Sequence, residues 1–165
     1  NDRVRQCRLA VEQLATLRPI KYLAELSQSD FEQVEHAITD EVAHRRARHV
    51  VGEVQRTKDA VEALQHGNIQ LFGKLMTQSH ISLRDDYEVT GLQLDSLAEA
   101  AWKVEGVLGS RMTGGGFGGC TVSLVRDEAI PTFIEQVGNE YTLKTGLKAD
   151  FYIAEIGDGA HRILM

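Results

Sequence analysis

The chain has 165 residues, 42% of them hydrophobic and 25% charged, with a formal net charge of −6. That length suits one domain with a real core, and no apolar run approaches the roughly 20 residues needed to cross a bilayer. The acidic balance argues against a general binder of nucleic acid or of an anionic membrane, so any phosphate must be handled by a local device.

The opening residues Asn1-Asp2-Arg3 include no initiator methionine, and residues 1–30 hold no signal-peptide pattern, so the chain is expected to be a piece of something longer. Cys7, Ala10, Leu14 and Leu17 fall at helical spacing up to Pro19. Ser29 with Glu32 forms a capping-box pattern that opens a short helix through about Ile38. A long helix is expected next, with Ala47, Val50, Val51, Val54, Val61 and Leu64 as its apolar stripe and Gly67-Asn68 as its stop. Arg45, Arg46, Arg48 and His49 read as its wet face. Ile69 to Ser82 is a further helix, and Thr90 with Gln93 is a second capping box leading into Leu94, Leu97, Ala98 and Ala101.

After Gly106 the period changes. Thr121 to Val125 alternates as a strand does, Ile130 to Tyr141 returns to helical spacing with Pro131 in its first turn, and Gly146 ends it. Phe151 to Ile156, rich in β-branched and aromatic residues, reads as a final strand. A helical part over about 1–105 followed by strand–loop–strand–helix–strand over about 106–156 predicts an α+β fold, an antiparallel sheet covered by helices. Cys7 and Cys120 match no metal or redox spacing, which points to a reduced, cytoplasmic setting.

Five of the 15 glycines lie within 114–119, in Arg111-Met112-Thr113-Gly114-Gly115-Gly116-Phe117-Gly118-Gly119-Cys120. Clustered glycine suits backbone that bends unusually or approaches something closely. Two readings stand side by side: bare N–H groups facing a phosphate or substrate, or a wide hairpin turn whose glycines serve geometry alone. The loop lacks the Gly-Lys-Ser/Thr ending of a P-loop, and strand–loop–strand differs from the strand–loop–helix of a dinucleotide fold. On the first reading, a side chain added at Gly116 is expected to lower turnover more than stability.

The densest polar run is Ser79-His80-Ile81-Ser82-Leu83-Arg84-Asp85-Asp86-Tyr87. Arg84 could pair with phosphate, and Asp85 or Asp86 could orient a sugar hydroxyl or magnesium. Adjacent carboxylates on a helix point about 100° apart, however, so a capping or solvated ion-pair network is the simpler reading. His80 reads as a hydrogen-bonded packing residue rather than a base, Cys120 as a small buried residue, and Trp102 and Met112 as core. No residue pattern calls for a metal ligand set.

The run from Arg111 to Cys120 closely resembles the third motif of the GHMP small-molecule kinases, in its galactokinase version. Leu75-Met76 through Ser79 to Thr90 resembles the segment that precedes that motif, and Arg45 to Arg56 and Arg3-Val4-Arg5-Gln6-Cys7 are similar as well. One departure is visible: Glu53-Val54-Gln55-Arg56 stands where the family commonly has Glu-Asn before an arginine. The resemblance implies residues 1–165 as a GHMP kinase C-terminal domain, with a ferredoxin-like antiparallel sheet and additional helices. The implied parent transfers the γ-phosphoryl group of MgATP to the anomeric hydroxyl of D-galactose. ATP and Mg2+ would be held mainly by an N-terminal catalytic half, absent here, that is also this chain's partner. No catalytic residue is expected in this piece, which should be inactive alone. Thr113, Gly114, Gly115, Gly116, Phe117, Gly118 and Gly119 carry over as a loop beside the sugar and the transferring phosphate, with Arg84, Asp85 and Asp86 as secondary candidates. The rival readings are a sister kinase for N-acetylgalactosamine or another sugar, a non-catalytic galactose and ATP sensor, and an RRM-like nucleic-acid binder. The acidic charge and the lack of an aromatic RNP-type strand weigh against the last.

Overall fold

The computed structural model describes residues 2–155 and 157. Six α-helices and one two-stranded sheet are formed among them: α1 (Asp2–Leu14), α2 (Gln28–Val34), α3 (Glu41–Gln65), α4 (Ile69–Ser82), α5 (Leu92–Trp102), β1 (Val107–Thr113), β2 (Cys120–Val125) and α6 (Ile130–Thr145). The predicted helices appear in order, with boundaries that local chemistry adjusts. Ser27, not Ser29, caps α2: its Oγ accepts from the Asp30 N–H at 3.1 Å while the Asp30 carboxylate accepts from the Ser27 N–H. The second expected box does not form either. α5 starts from Gly91 at φ 88°, a left-handed bend that leaves Thr90 buried and outside the helix. Gly146, at φ 72°, ends α6 as expected.

The α1–α3 half has its own core, in which Ala10 and Leu14 meet Phe31, Ala43, Ala47 and Val51. The apolar stripe of α3 holds only over its first turns; Val61 and Leu64 are about half exposed. The other half packs α4, α5 and α6 against the sheet through two smaller cores, one around Leu94 and Met112 and one around Ala101, Val104 and Val137.

β1 and β2 are antiparallel, with Arg111 opposite Val122 and Thr113 opposite Cys120. The α+β class and the antiparallel sheet are as expected. The expected third strand does not form over Phe151–Glu155, and Ile156 lies outside the described residues. Phe151 instead turns its ring onto α6, edge-on to Phe133 with centroids 6.0 Å apart. Burial of one aromatic side chain in a helical cleft sets this segment's path rather than a ladder.

How α4 sits on β1 fixes the rest. A Cβ built on Gly109 would lie 2.0 Å from the Gly73 carbonyl oxygen, and one on Gly73 would lie 2.3 Å from the Leu108 carbonyl oxygen. The two main chains are therefore in direct contact, which no residue with a side chain permits. Gly109→Ala should lower unfolding stability by about 3 kcal/mol, at the upper end of overpacking costs. Gly138→Ala in α6, where the nearest atom would be the Phe151 ring at 3.4 Å, should be neutral or stabilising because alanine is the better helix former. Denaturant titration of both variants checks the contrast.

Candidate functional site

Thr113 closes β1 and Cys120 opens β2, so residues 114–119 bridge a single antiparallel pair. Cys120 is exposed, not buried as expected. Gly114, Gly116, Gly118 and Gly119 have φ between 80° and 110°, and even Phe117 is left-handed at 58°. Much of the glycine content thus answers to turn geometry. Gly116 has a second reason: a Cβ there would lie 2.0 Å from the Val89 carbonyl oxygen, the same oxygen that accepts from the Phe117 N–H at 2.7 Å. The close approach expected at Gly116 is therefore made to this chain's own backbone, and a side chain there should damage the loop itself. Gly115 is different. Its φ is not left-handed and a Cβ would meet nothing within 4 Å, so neither turn geometry nor internal packing requires glycine. The amides of Gly115, Gly116 and Gly118 make no hydrogen bond within the described residues.

The loop's anchor, Val89, follows a π-helical turn, Leu83–Tyr87, that continues α4. Arginines from the other half hold the end of that turn. Arg3 donates to the carbonyls of Tyr87 and Glu88, and Arg46 donates to the Asp86 carbonyl and, at 2.7 Å, to the Glu88 carboxylate. These charged donors pin the left-handed Glu88 (φ 54°), and through it the direction in which Val89 presents its oxygen. Arg84 pairs with Asp85 at 2.7 Å and with Glu99 at 3.0 Å, while Asp86 accepts from Arg48 and from Ser82. The structure therefore gathers Thr113–Gly119 into one hairpin loop and sends Arg84, Asp85 and Asp86 to separate partners. Asp85 and Asp86 share no ligand position, and no metal-competent group of three or more His, Cys, Asp or Glu occurs among the described residues.

Sequence reasoning missed a stripe on α3. Arg46, His49, Glu53 and Arg56 recur at steps of three and four, the period of one helix face, and that face is covered rather than wet: Arg46 is 1% and His49 5% exposed. α4 and the π turn run antiparallel to it. Arg46 meets the Asp86 carbonyl, His49 Nδ1 lies 3.0 Å from Ser82 Oγ, and Ser79 Oγ donates to Glu53 at 2.6 Å. Glu53 also pairs with Arg56 at 3.0 Å and lies 3.8 Å from Arg111 of β1. Charged residues recurring with the core period were the available signal. Burial pushes His49 down to about 4, against the pull of Glu53, and its ring stacks on Tyr87 at 4.5 Å. Burial likewise lowers His80, against the hydrogen bond to Asp95.

These shifts have a sign. In the unfolded chain a histidine takes its proton near pH 6.5, whereas folded His49 does so only at about 4. Its contribution to stability is complete above pH 6.5 and is lost as pH falls from there toward 4, at up to about 1.4 kcal/mol per pH unit. Unfolding free energy should therefore drop between pH 6.5 and 4.5, before most carboxylates protonate, and His49→Asn should flatten that part of the profile. Denaturant unfolding at pH 7.5, 6, 5 and 4.5 measures both.

The profile of the GHMP kinases C terminal family matches residues 60–142, half of the chain. The chain is 57% identical over 164 residues to a galactokinase of Fusobacterium nucleatum, covering 99% of this chain and 42% of the relative. It is 49% identical over 163 residues to a galactokinase of Clostridium beijerinckii, again 99% of this chain and 42% of the relative. Among solved structures it superimposes on Lactococcus lactis galactokinase, complexed with galactose, with a TM-score of 0.91 and 48% identity, over 96% of this chain and 41% of that one. The chain thus spans about two fifths of the length of the relatives it matches. With the matched profile covering half of it and 96% of it superimposing on a galactokinase, the chain belongs to the GHMP kinase family and carries that family's C-terminal domain.

Proposed function

We propose that this chain is the C-terminal part of a galactokinase, whose whole form transfers the γ-phosphoryl group of MgATP to the anomeric hydroxyl of D-galactose, and that residues 113–119 form one wall of its substrate cleft. The observation that carries the reading is Gly115: within a loop whose other glycines are explained by left-handed backbone or by Val89, it alone has ordinary φ and open space where a side chain would stand. A position kept bare without internal cause suits close approach by something outside the chain. The identity to galactokinases over nearly the whole chain supplies the chemistry of that something.

Phosphoryl transfer is chiefly positioning and neutralisation of charge on the equatorial oxygens, with little covalent work for the protein. In this reading the unbonded amides of the loop face the sugar or the transferring phosphate, and the Val89 contact holds them at a set distance. Magnesium bound with ATP would supply neutralisation of phosphate charge; the residues described here do not fit a magnesium site, since Asp85 and Asp86 are each engaged by separate cations, so no step is routed through them. The phosphate cradle, the metal site and the group that polarises the hydroxyl belong in this reading to the preceding polypeptide, and this chain alone is inactive.

In the full-length protein, Gly115→Ala should lower kcat at least 10-fold while the unfolding midpoint stays within about 2 °C. Gly116→Ala should lower both, because its Cβ strikes the Val89 carbonyl. Coupled ADP-release assays with a panel of sugars, alongside thermal melts, read the two effects. Unchanged turnover for Gly115→Ala would return the loop to a plain hairpin, and robust ADP release by residues 1–165 alone would overturn the division of labour.

A further inference from the structure

In a two-stranded sheet each strand has one side without a partner. Along β1, alternate residues direct their main-chain groups away from β2, and Ser110 and Met112 are two such residues. The Ser110 carbonyl accepts from the Trp102 indole N–H at 3.0 Å, and the Met112 N–H donates to His80 Nδ1 at 2.9 Å. The two rings meet edge-on, with centroids 5.5 Å apart and planes at 82°. Side chains from α4 and α5 thus stand where a neighbouring strand would be.

His80 is completely buried, and both of its ring nitrogens are engaged. Nδ1 accepts from Met112, so in the neutral ring Nε2 carries the proton and donates to Asp95 Oδ1 at 3.1 Å. Among side chains, only neutral imidazole offers an acceptor and a donor fixed on opposite edges of one rigid ring. Asp95 lies in the first turn of α5 and donates its own N–H to the Gly91 carbonyl at 3.0 Å. The ring therefore ties together α4, the start of α5 and the last residues of β1. Met112 is two residues before Gly114, so this clamp sits at the root of the glycine loop, and the Val89 contact sits at its middle.

We propose that His80, clamped between Asp95 and the Met112 amide, is a positioning residue that sets the root of the glycine loop for phosphoryl transfer. The inference rests on the reading of that loop given above, but its physical core, a fixed tautomer bound to a backbone amide, can be tested apart from activity. The charged groups that face the ring are Asp95 from α5, Arg84 and Asp85 from the π turn and Arg111 from β1. The carboxylates favour a charged ring and the guanidinium groups and burial oppose it. A second ring proton would place Nδ1–H against the Met112 N–H, two donors face to face.

The first arm uses the full-length protein labelled with 15N at histidine and methionine. His80 should show a protonated Nε2 and an unprotonated Nδ1 from pH 8 to pH 6, and the Met112 amide should exchange at least 100-fold more slowly than an exposed amide. The opposite tautomer, or a rapidly exchanging Met112 amide, overturns the clamp whatever the enzyme does. The second arm compares His80→Gln, which can keep a donor toward Asp95 but offers Met112 no aligned acceptor, with His80→Asn, whose amide oxygen falls near the Nδ1 position. His80→Gln should lower kcat at least 10-fold with KM for sugar and nucleotide within threefold, and His80→Asn should recover most of that loss. If kcat follows only the folded fraction in both variants, the role is structural and the proposal fails. A wild-type protein inert toward MgATP and every sugar would sink the phosphoryl-transfer reading, while the NMR arm would still decide the clamp.

Discussion

The contact on which the structure depends is the bare seating of α4 upon β1. With glycine at 73 and 109, the helix axis comes as close to the strand as the two main chains allow. From there simple dimensions take over. Seven helical residues rise about 10.5 Å and three strand residues advance about 10 Å, so Gly73 over Gly109 brings His80 over Met112, where the hydrogen bond is found. Two polar or bare positions one heptad apart on the helix thus read out two positions three apart on the strand. The loop inherits its location from that alignment, because β1 runs straight into it.

α4 also has a polar flank, the ladder to α3. Buried ion pairs are poor sources of net stability, since desolvation offsets most of the attraction. Their effect here is better understood as register. Arg46 satisfies Gln6, the Asp86 carbonyl and Glu88 together, and Glu53 gathers Ser79, Arg56 and the more distant Arg111. Sliding α4 along α3 by one residue would leave several of these groups desolvated and unpartnered, at about 1–3 kcal/mol for each neutral group and more for each charged one.

How legible was this from sequence? The helices were, because periodicity and punctuation agree: Asn68 before α4, Pro131 at the start of α6 and Gly146 at its end act through backbone chemistry that distant residues do not override. Caps with two candidate serines or a competing glycine were not, since a shift of one or two residues costs little locally and packing decides it. Arg46 and His49 read as solvent-facing because charge normally signals exposure; only their spacing, continued at helical steps by Glu53 and Arg56, tells otherwise. Strand propensity at Phe151–Glu155 goes unused because packing of the Phe151 ring against Phe133 sets the segment's path along α6, and the free side of β1 is already taken by Trp102 and His80 over Ser110 and Met112. Within the loop, sequence offered two readings for all the glycines together. The structure separates them residue by residue, and leaves Gly115 as the one without an internal explanation.

The hydrogen bond from Phe117 to Val89 divides the stretch between Thr113 and Cys120 into two spans of three and two residues. Spans that short have few alternative shapes. An untethered loop of this glycine content would have to be frozen each time a ligand arrived, at roughly 1–2 kcal/mol per residue in backbone entropy. Here that ordering is accomplished during folding, by one carbonyl oxygen, so a ligand bound in the cleft proposed above would meet a preorganised surface.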